Sequence, residues 1–170
     1  MSDRLTHECG LAFVRLRKPL HYYQEQYGDA AWGLRKTYLL MQKQYNRGQD
    51  GAGLGVVKFD MPAGDPFLLR VRSDKHNAIE RIFDAITEDT ERLSNAITAE
   101  TELNAKQTCR FLGETYLGHL RYGTHSGNSM AMCHPFVRKS NIASRNIALA
   151  GNFNMTNSNE LFAKLVEYGL

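Results

Sequence analysis

Two neighbouring apolar segments constrain the fold of this chain most. Residues 52–59 and 67–72 each read as a β-strand, and the stretch between them carries the turn-forming side chains Met61-Pro62-Ala63-Gly64-Asp65-Pro66. Strands joined by so short a loop pair most simply as antiparallel neighbours. The sequence therefore predicts a β-hairpin.

Further strands and helices are predicted on both sides of this hairpin. A strand at 10–16 is followed by a polar, tyrosine-rich loop through Gly28, and then by a helix that ends at 46–48. The helix is indicated by apolar residues spaced three and four apart: Ala31, Leu34, Tyr38, Met41 and Tyr45. Residues 76–108 read as a lateral helical insertion, and strands resume at 114–122, 134–138 and 146–150.

A last helix is predicted after Asn157, because Glu160 follows three residues later in the spacing of a capping box. We expect this helix to bury Leu161, Phe162 and Leu165. The chain stops at 168–170, where a helix C-cap would lead into another strand. The fold class predicted is thus α+β, a layered domain truncated at its C-terminal side.

Composition excludes several classes of protein. The 170 residues, 42% of them hydrophobic, suit one ordinary globular domain. The net charge of +3, from 21 basic and 18 acidic residues, is too balanced to indicate nucleic-acid binding. No apolar run approaches the roughly 20 residues of a membrane span, and residues 1–8 lack the apolar stretch of a secretory signal. We therefore expect a cytoplasmic protein.

Cys9 is a candidate nucleophile. The chain has three cysteines, Cys9, Cys109 and Cys133, a number and spacing that favour neither a disulfide framework nor a zinc site. If the bond between Glu8 and Cys9 were cleaved, Cys9 would carry a terminal α-amine with a pKa of about 7.7 to 8.0, low enough to accept the thiol proton. The alternative is a buried structural cysteine, since free cysteine is among the most buried residue types.

Two polar segments add candidate binding groups. In the predicted strand at 114–122, alternation places His119 and Arg121 on one face, and an arginine fork at a strand end suits an α-carboxylate. The asparagine-rich segment 150–157 follows another strand and can present amide and backbone N–H donors to an oxyanion. Each has an ordinary alternative: a solvated arginine at a sheet edge, and asparagines that satisfy turn geometry.

Read together and in order, five segments resemble the glutamine amidotransferase domain of class II, or N-terminal nucleophile, enzymes. Within that family they most resemble the amidophosphoribosyltransferases of purine synthesis. The matching segments are Glu8-Cys9-Gly10, Asn46-Arg47-Gly48-Gln49-Asp50-Gly51-Ala52-Gly53, Gly118-His119-Leu120-Arg121-Tyr122-Gly123-Thr124, His134-Pro135-Phe136, and 147–154 followed by Thr156-Asn157. Taken alone, the second segment also resembles a phosphate loop, but it lacks the Lys-Ser/Thr ending and precedes a strand.

The resemblance implies a four-layer αββα sandwich of mainly antiparallel sheets, in residues 9–170 behind a leader of residues 1–8. It implies that Cys9 attacks the side-chain amide of glutamine, forming a γ-glutamyl thioester and releasing ammonia. Asn152 and the N–H of Phe153 would stabilise the oxyanion and Arg121 would hold the substrate carboxylate. Arg47 and Thr124 would line the pocket.

The resemblance also implies partners outside this chain. In full-length relatives, ammonia passes to a phosphoribosyltransferase domain that uses Mg²⁺, and the relatives are homo-oligomers. No cofactor or metal is expected in residues 1–170 themselves. The segment Gly151-Asn152-Phe153-Asn154 departs from the family's usual His-Asn-Gly-Asn, and a phenylalanine cannot freely adopt a positive φ.

Three other interpretations stay open. The first is a different class II amidotransferase, of the glucosamine-phosphate or asparagine-forming type. The second is a regulatory module that keeps this fold without catalysis, which the leader and Phe153 favour. The third is a metal site made by His7, Cys9, Cys133 and His134, although these residues lack a regular ligand spacing.

Overall fold

The central feature of the computed structural model is a four-stranded antiparallel sheet; the structure describes residues 8–91, 96–123, 129–153 and 155–169. Its strands lie in the order β1-β4-β2-β3. They are β1 (Gly10–Arg15), β2 (Ala52–Val57), β3 (Leu68–Ser73) and β4 (Thr115–Leu120). The predicted antiparallel pairing of β2 with β3 is confirmed, from Ala52 opposite Ser73 to Val57 opposite Leu68.

The strand register brings three segments to one end of the sheet. Leu120, the last residue of β4, pairs with Gly10 of β1 on one side and with Ala52 of β2 on the other. The residues before β1 and before β2 therefore lie beside the residues that follow β4. Most of the predicted site residues lie at this end of the sheet.

Helices cover one face of this sheet. Five α-helices lie in the described residues: α1 (Leu20–Tyr27), α2 (Trp32–Lys43), α3 (Ala78–Glu91), α4 (Glu102–Thr108) and α5 (Ser158–Glu167). α2 packs on β1 and β4, and α3 packs on β2 and β3. The buried core between these layers includes Leu34, Met41, Leu54, Val56, Ile79, Ile82, Tyr116 and Leu120. α3 and α4 both fall within the predicted helical segment 76–108.

The predicted tyrosine-rich loop is wrong, because residues 20–27 form helix α1. Leu20 and Tyr23 are buried, and the Tyr23 ring lies 5.4 Å from the ring of Trp32 in α2. Gly28 ends the helix in the left-handed conformation, with φ +69, which glycine adopts without steric penalty. Contacts between aromatic rings thus stabilise a helix that the polar composition of this segment did not predict.

A network of buried charges attaches α4 to the sheet. Lys106 donates to the Oε1 carboxylate oxygen of Glu114 at 2.8 Å and to the carbonyl of Phe59 at 2.7 Å. Glu102, four residues before Lys106, accepts from the Nδ1 nitrogen of His21 at 2.6 Å. Burial alone would raise the pKa of this carboxyl, but hydrogen bonds from the backbone and ring of His21, with a smaller contribution from Lys106, lower it. Each buried charge therefore has a partner, as burial in a protein interior requires.

A second sheet and a last helix follow the four-stranded sheet. The strands β5 (Phe136–Arg138) and β6 (Ile147–Leu149) pair antiparallel. Helix α5 begins after Asn157 as predicted, but no cap hydrogen bond from the Asn157 side chain is present. The predicted burial of α5 is wrong: Leu161 is 37% exposed, Phe162 61% and Leu165 46%. Within the described residues, no element covers the apolar stripe of this helix.

Helices together with antiparallel sheets are what an α+β fold requires. The finer prediction, four layers in the order αββα, stays a prediction. In the part of the chain that is described, no helix is both long and apolar enough to cross a bilayer.

Candidate active site

Cys9 lies at the end of the sheet, half-buried against the segment that follows β4. Its thiol sulfur is 3.4 Å from the backbone nitrogen of Tyr122 and 3.9 Å from the carbonyl oxygen of the same residue. The Tyr122 N–H points at the sulfur as a donor, and the thiol can donate to the carbonyl. Because residues 9 and 122 are far apart in sequence, the pairing of β1 with β4 is what sets the position of this thiol.

Arg121 is next to this contact and is buried, with 6% of its surface exposed. Its Nη1 nitrogen donates to the carbonyl of Met132 at 2.7 Å, while its backbone pairs with Gly51 and Asp50. Two residues earlier, the ring of His119 contacts the ring of His134. Both side chains therefore meet the 132–134 segment, so they share one face of the sheet, as strand alternation predicts.

The segment before β2 fits closely against the same backbone. The Asp50 carboxylate accepts from the N–H of Gly123 at 2.8 Å. A Cβ atom on Gly48 would lie 2.6 Å from the carbonyl carbon and oxygen of Arg121, so only glycine fits there without displacing β4. Arg47, in the 3₁₀ turn just before Gly48, is exposed at this edge of the sheet.

Residues 131–135 cross the sheet face opposite the helices. The carbonyl of His134 occupies the space where Gly53 would carry a side chain. Arg72 of β3 donates to the carbonyls of Cys133, at 2.9 Å, and Ala131, at 3.4 Å. Cys133 is fully buried against Gly51, and burial raises the pKa of its thiol. A thiol with a raised pKa is a poor nucleophile near neutral pH, so Cys133 serves packing.

Residues 151–153, which contain the predicted oxyanion donors, lie over His134. The backbone N–H of Gly151 donates to the Nδ1 nitrogen of His134 at 3.3 Å. The Phe153 ring stacks on the His134 ring, with centroids 5.2 Å apart and an interplanar angle of 25°. Asn152 and Phe153 are both exposed, and Phe153 is not among the described residues with positive φ. The phenylalanine thus avoids the backbone conformation that would strain it.

The two buried histidines are held neutral by their surroundings. Burial, with a smaller contribution from His134, lowers the pKa of His119 to about 4. Burial, together with the positive charge of Arg121, lowers the pKa of His134. Both ring nitrogens of His119 are buried and have no hydrogen-bond partner in the described part of the chain.

The structure brings most of the predicted site residues to one end of the sheet. The Cys9 sulfur contacts the backbone of Tyr122, the residue that follows Arg121, and Arg47 lies in the turn before β2. Asn152 and Phe153 follow Gly151, whose N–H donates to His134. Thr124 and His7 lie outside the described residues. Within the described ranges, no three His, Cys, Asp or Glu side chains are grouped so as to hold a metal ion.

Sequence reasoning missed two contacts that organise this site. Both residues lie within the matching segments, but the sequence analysis gave Asp50 no role and gave His134 only a place in the alternative metal site. Asp50 holds Gly123, and His134 holds Gly151. Both contacts join residues more than 15 positions apart, so no local spacing signals them. Asp50 lies within the glycine-rich segment 48–53, which was a local signal, whereas the sequence around His134 carries none.

Comparison with known proteins shows a distant similarity. The chain is 25% identical over 168 residues to a protein of Arabidopsis thaliana described as amidophosphoribosyltransferase 3, chloroplastic. The alignment covers 99% of the chain and 24% of that relative, so the chain spans about a quarter of the relative's length. No protein-family profile matches the chain.

Proposed function

We propose, from the similarity to an amidophosphoribosyltransferase and from the position of Cys9, that this chain is the glutamine-hydrolysing part of such an enzyme. The observation that carries the proposal is the contact of the Cys9 sulfur with the Tyr122 backbone, next to the buried Arg121. A thiol and a guanidinium at one strand end suit a substrate with an amide at one end and a carboxylate at the other.

The first step is attack of the Cys9 sulfur on the side-chain carbonyl carbon of glutamine. The α-amine of Cys9, present once residues 1–8 are removed, takes the thiol proton and passes it to the departing nitrogen. The carbon–nitrogen bond breaks, ammonia leaves, and a γ-glutamyl thioester remains on Cys9. Water then adds to the thioester, and glutamate is released with the thiol restored.

Two groups of residues assist this step. Asn152 and the Phe153 N–H stabilise the oxyanion that forms on the attacked carbonyl, because donors aimed at developing charge lower the barrier. Arg121 binds the α-carboxylate, and Arg47 and Thr124 line the pocket. These roles come from the resemblance; the exposure of Asn152 and Phe153 leaves their donors accessible to a substrate.

The ammonia has a further acceptor in this proposal. We infer that it reaches a phosphoribosyltransferase domain, which uses Mg²⁺ and converts phosphoribosyl pyrophosphate to phosphoribosylamine. The relative is about four times longer than the aligned region, which leaves room for such a domain in that protein. Assembly as a homo-oligomer belongs to the same proposal.

The test is glutamine-dependent ammonia release with intact-mass measurement. We expect the full-length protein, once it has lost residues 1–8, to release ammonia and to gain one adduct from a glutamine-mimicking alkylator. Cys9→Ala should abolish both the ammonia release and the adduct. Cys109→Ala is the matched control, because it removes one buried thiol far along the chain from the proposed site and should leave both readouts in place.

Two results would contradict the proposal. Ammonia release that persists at the wild-type rate in Cys9→Ala would remove Cys9 from the mechanism. A folded, processed wild-type protein that neither releases ammonia nor takes up the alkylator would instead support the non-catalytic module, which the replacement of glycine by Phe153 favours.

A further inference from the structure

The hydrogen bond between Gly151 and His134 defines the protonation state of the histidine. A backbone N–H can only donate, so the Nδ1 nitrogen of His134, 3.3 Å from the Gly151 nitrogen, must be the acceptor. The proton of the neutral imidazole is then on Nε2. A second proton on Nδ1 would remove the acceptor and place two N–H groups against each other.

The same histidine also supports the end of the segment through its ring. The Phe153 ring stacks on His134, and it lies so close to Gly151 that a Cβ atom there would be 2.9 Å from two of its ring carbons. Gly151 and Phe153 therefore fit each other, and both contact one imidazole. Asn152 lies between these two attachment points.

His134 itself is held rigidly. Only 8% of its surface is exposed, and its ring packs 4.4 Å from His119 and 4.3 Å from Phe136, measured between centroids. Its carbonyl fills the space above Gly53, the second residue of the interior strand β2. A side chain fixed in this way can transmit the position of the sheet to the exposed segment above it.

We propose that His134 is a positioning residue, which holds residues 151–153 by accepting a hydrogen bond from the Gly151 N–H and by supporting the Phe153 ring, so that the oxyanion donors of the proposed reaction, Asn152 and the Phe153 N–H, keep one fixed position. This inference rests on the proposed function, and deepens it by adding a residue that contacts no substrate. A preorganised pair of donors stabilises the charge of the transition state more than a mobile pair does, because no reorientation is needed as the charge develops.

The arrangement predicts a specific dependence on pH. The charged or titratable groups that act on His134 are His119 in β4, Arg121 after β4 and Arg72 in β3. Burial and the two arginines keep the pKa of His134 below its usual value of about 6.5. The Gly151 contact should therefore persist at neutral pH and be lost on acidification below that value.

Two substitutions separate the hydrogen bond from the ring. His134→Asn places an amide oxygen where Nδ1 was, so it keeps an acceptor and loses the ring. His134→Phe keeps an aromatic ring and loses the acceptor. The Gly151 amide signal is followed by ¹⁵N NMR on the full chain as pH is lowered, and glutamine hydrolysis is measured on processed protein in parallel.

We expect the wild-type Gly151 amide proton to shift on acidification as His134 protonates. In His134→Asn the Gly151 amide proton should have the chemical shift of a hydrogen-bonded proton, and this shift should no longer change with pH. In His134→Phe it should have the shift of an amide without a hydrogen bond at every pH. His134→Phe should lower kcat about tenfold with KM nearly unchanged, and His134→Asn should restore most of that loss, since one hydrogen bond is at stake.

The outcomes distinguish this inference from the proposed function. A Gly151 signal that is the same in His134→Phe as in the wild type would overturn the contact. Equal loss of kcat in both variants, at equal thermal stability, would overturn the role of the acceptor. If the Gly151 signal responds as expected but no form of the protein hydrolyses glutamine, the proposed function fails while the His134 contact stands, and the catalytic part of the inference is overturned with it.

Discussion

At the scale of single residues, Arg121 differs from an ordinary surface arginine in its burial and its neighbours. It is buried beside the Cys9 contact, and one terminal nitrogen donates to the Met132 carbonyl. The planar guanidinium presents further donors in a fixed fork, which matches the two oxygens of a carboxylate. A lysine at the same position would offer only a point charge.

We therefore predict that Arg121→Lys raises KM for glutamine about tenfold, with kcat changed less than about threefold, because ground-state binding is what the fork supplies. Steady-state kinetics on processed protein measure both constants. Arg72→Lys is the control, since Arg72 also donates to backbone carbonyls of the 131–133 segment but has no proposed substrate contact. An unchanged KM in Arg121→Lys would rule out the carboxylate assignment.

Sequence reasoning reached some residues of the site and missed others for a physical reason. His119 and Arg121 were placed on one face by strand alternation, and the structure agrees, because a local period of two determines which way side chains point. The roles of Asp50 and His134 were not predicted. Each depends on a tertiary contact, with Gly123 or Gly151, that no local pattern encodes.

At the scale of elements, two glycines of β2 leave the room that lets the 133–135 segment lie against this strand. Gly53 and Gly55 lie on the same face of β2, with the His134 carbonyl above the first and Pro135 above the second. A Cβ atom on Gly53 would overlap the His134 backbone, whereas one on Gly55 would lie 3.2 Å from the flexible ring of Pro135.

Gly53→Ala should thus lower the free energy of unfolding by about 2 to 3 kcal/mol, because backbone cannot easily move aside. Gly55→Ala, the matched control on the same strand, should change it by about 1 kcal/mol or less. Urea denaturation followed by circular dichroism measures both. Equal effects of the two substitutions would show that the 133–135 segment does not lie over β2 as described.

The attachment of α4 gives a second prediction at this scale. Lys106→Met would leave the Glu114 carboxylate buried without its cation, and loss of one member of a buried pair typically costs about 3 to 5 kcal/mol. Arg35→Met removes an exposed pair, with Asp29, and should change stability by less than about 1 kcal/mol. Thermal melts would compare the two, and a small effect of Lys106→Met would mean that water reaches Glu114.

Strands were easier to predict than the faces of helices. The β2–β3 hairpin follows from apolar runs joined by turn residues, and the structure confirms it. The helix α1 was missed because, apart from Leu20, its apolar residues are tyrosines among polar side chains, and aromatic packing against Trp32 stabilises it. For α5, the pattern indicated an apolar stripe correctly but could not say what covers it.

At the scale of the whole molecule, the two buried histidines tie stability to pH. In the unfolded chain His119 has the ordinary pKa of about 6.5, and in the fold burial lowers it to about 4. The unfolded chain therefore binds more protons between these values, so stability is highest above pH 6.5 and falls as the pH drops towards 4. The lowered pKa of His134 acts in the same direction.

We predict that His119 alone accounts for a loss of about 3 kcal/mol between pH 7 and pH 4. Urea denaturation of the wild type and of His119→Leu at several pH values measures it, because titrating groups that do not contact His119 act equally on both proteins. The gap in stability between them should change with pH across this window. Parallel pH profiles would show that His119 is not buried in its neutral form.

Sequence and structure agree on the fold class and leave its full layering open. The antiparallel pairing of β2 with β3 follows from two apolar runs joined by turn residues, and helices are indicated by apolar spacings of three and four, which is why the α+β class could be predicted. The predicted four-layer order would depend on how β5, β6 and α5 pack against the four-stranded sheet. That packing is a long-range property, and no local period specifies it.

The pairing of β1 with β4 carries a consequence for the order of events during synthesis. The Cys9 sulfur meets a backbone that is translated 113 positions later. A ribosome must therefore have released the whole of β4 before Cys9 can settle, and contacts of such long range form slowly. The contact that positions the proposed nucleophile is therefore one of the last of the four-stranded sheet to become possible, although Cys9 is among the first residues to be synthesised.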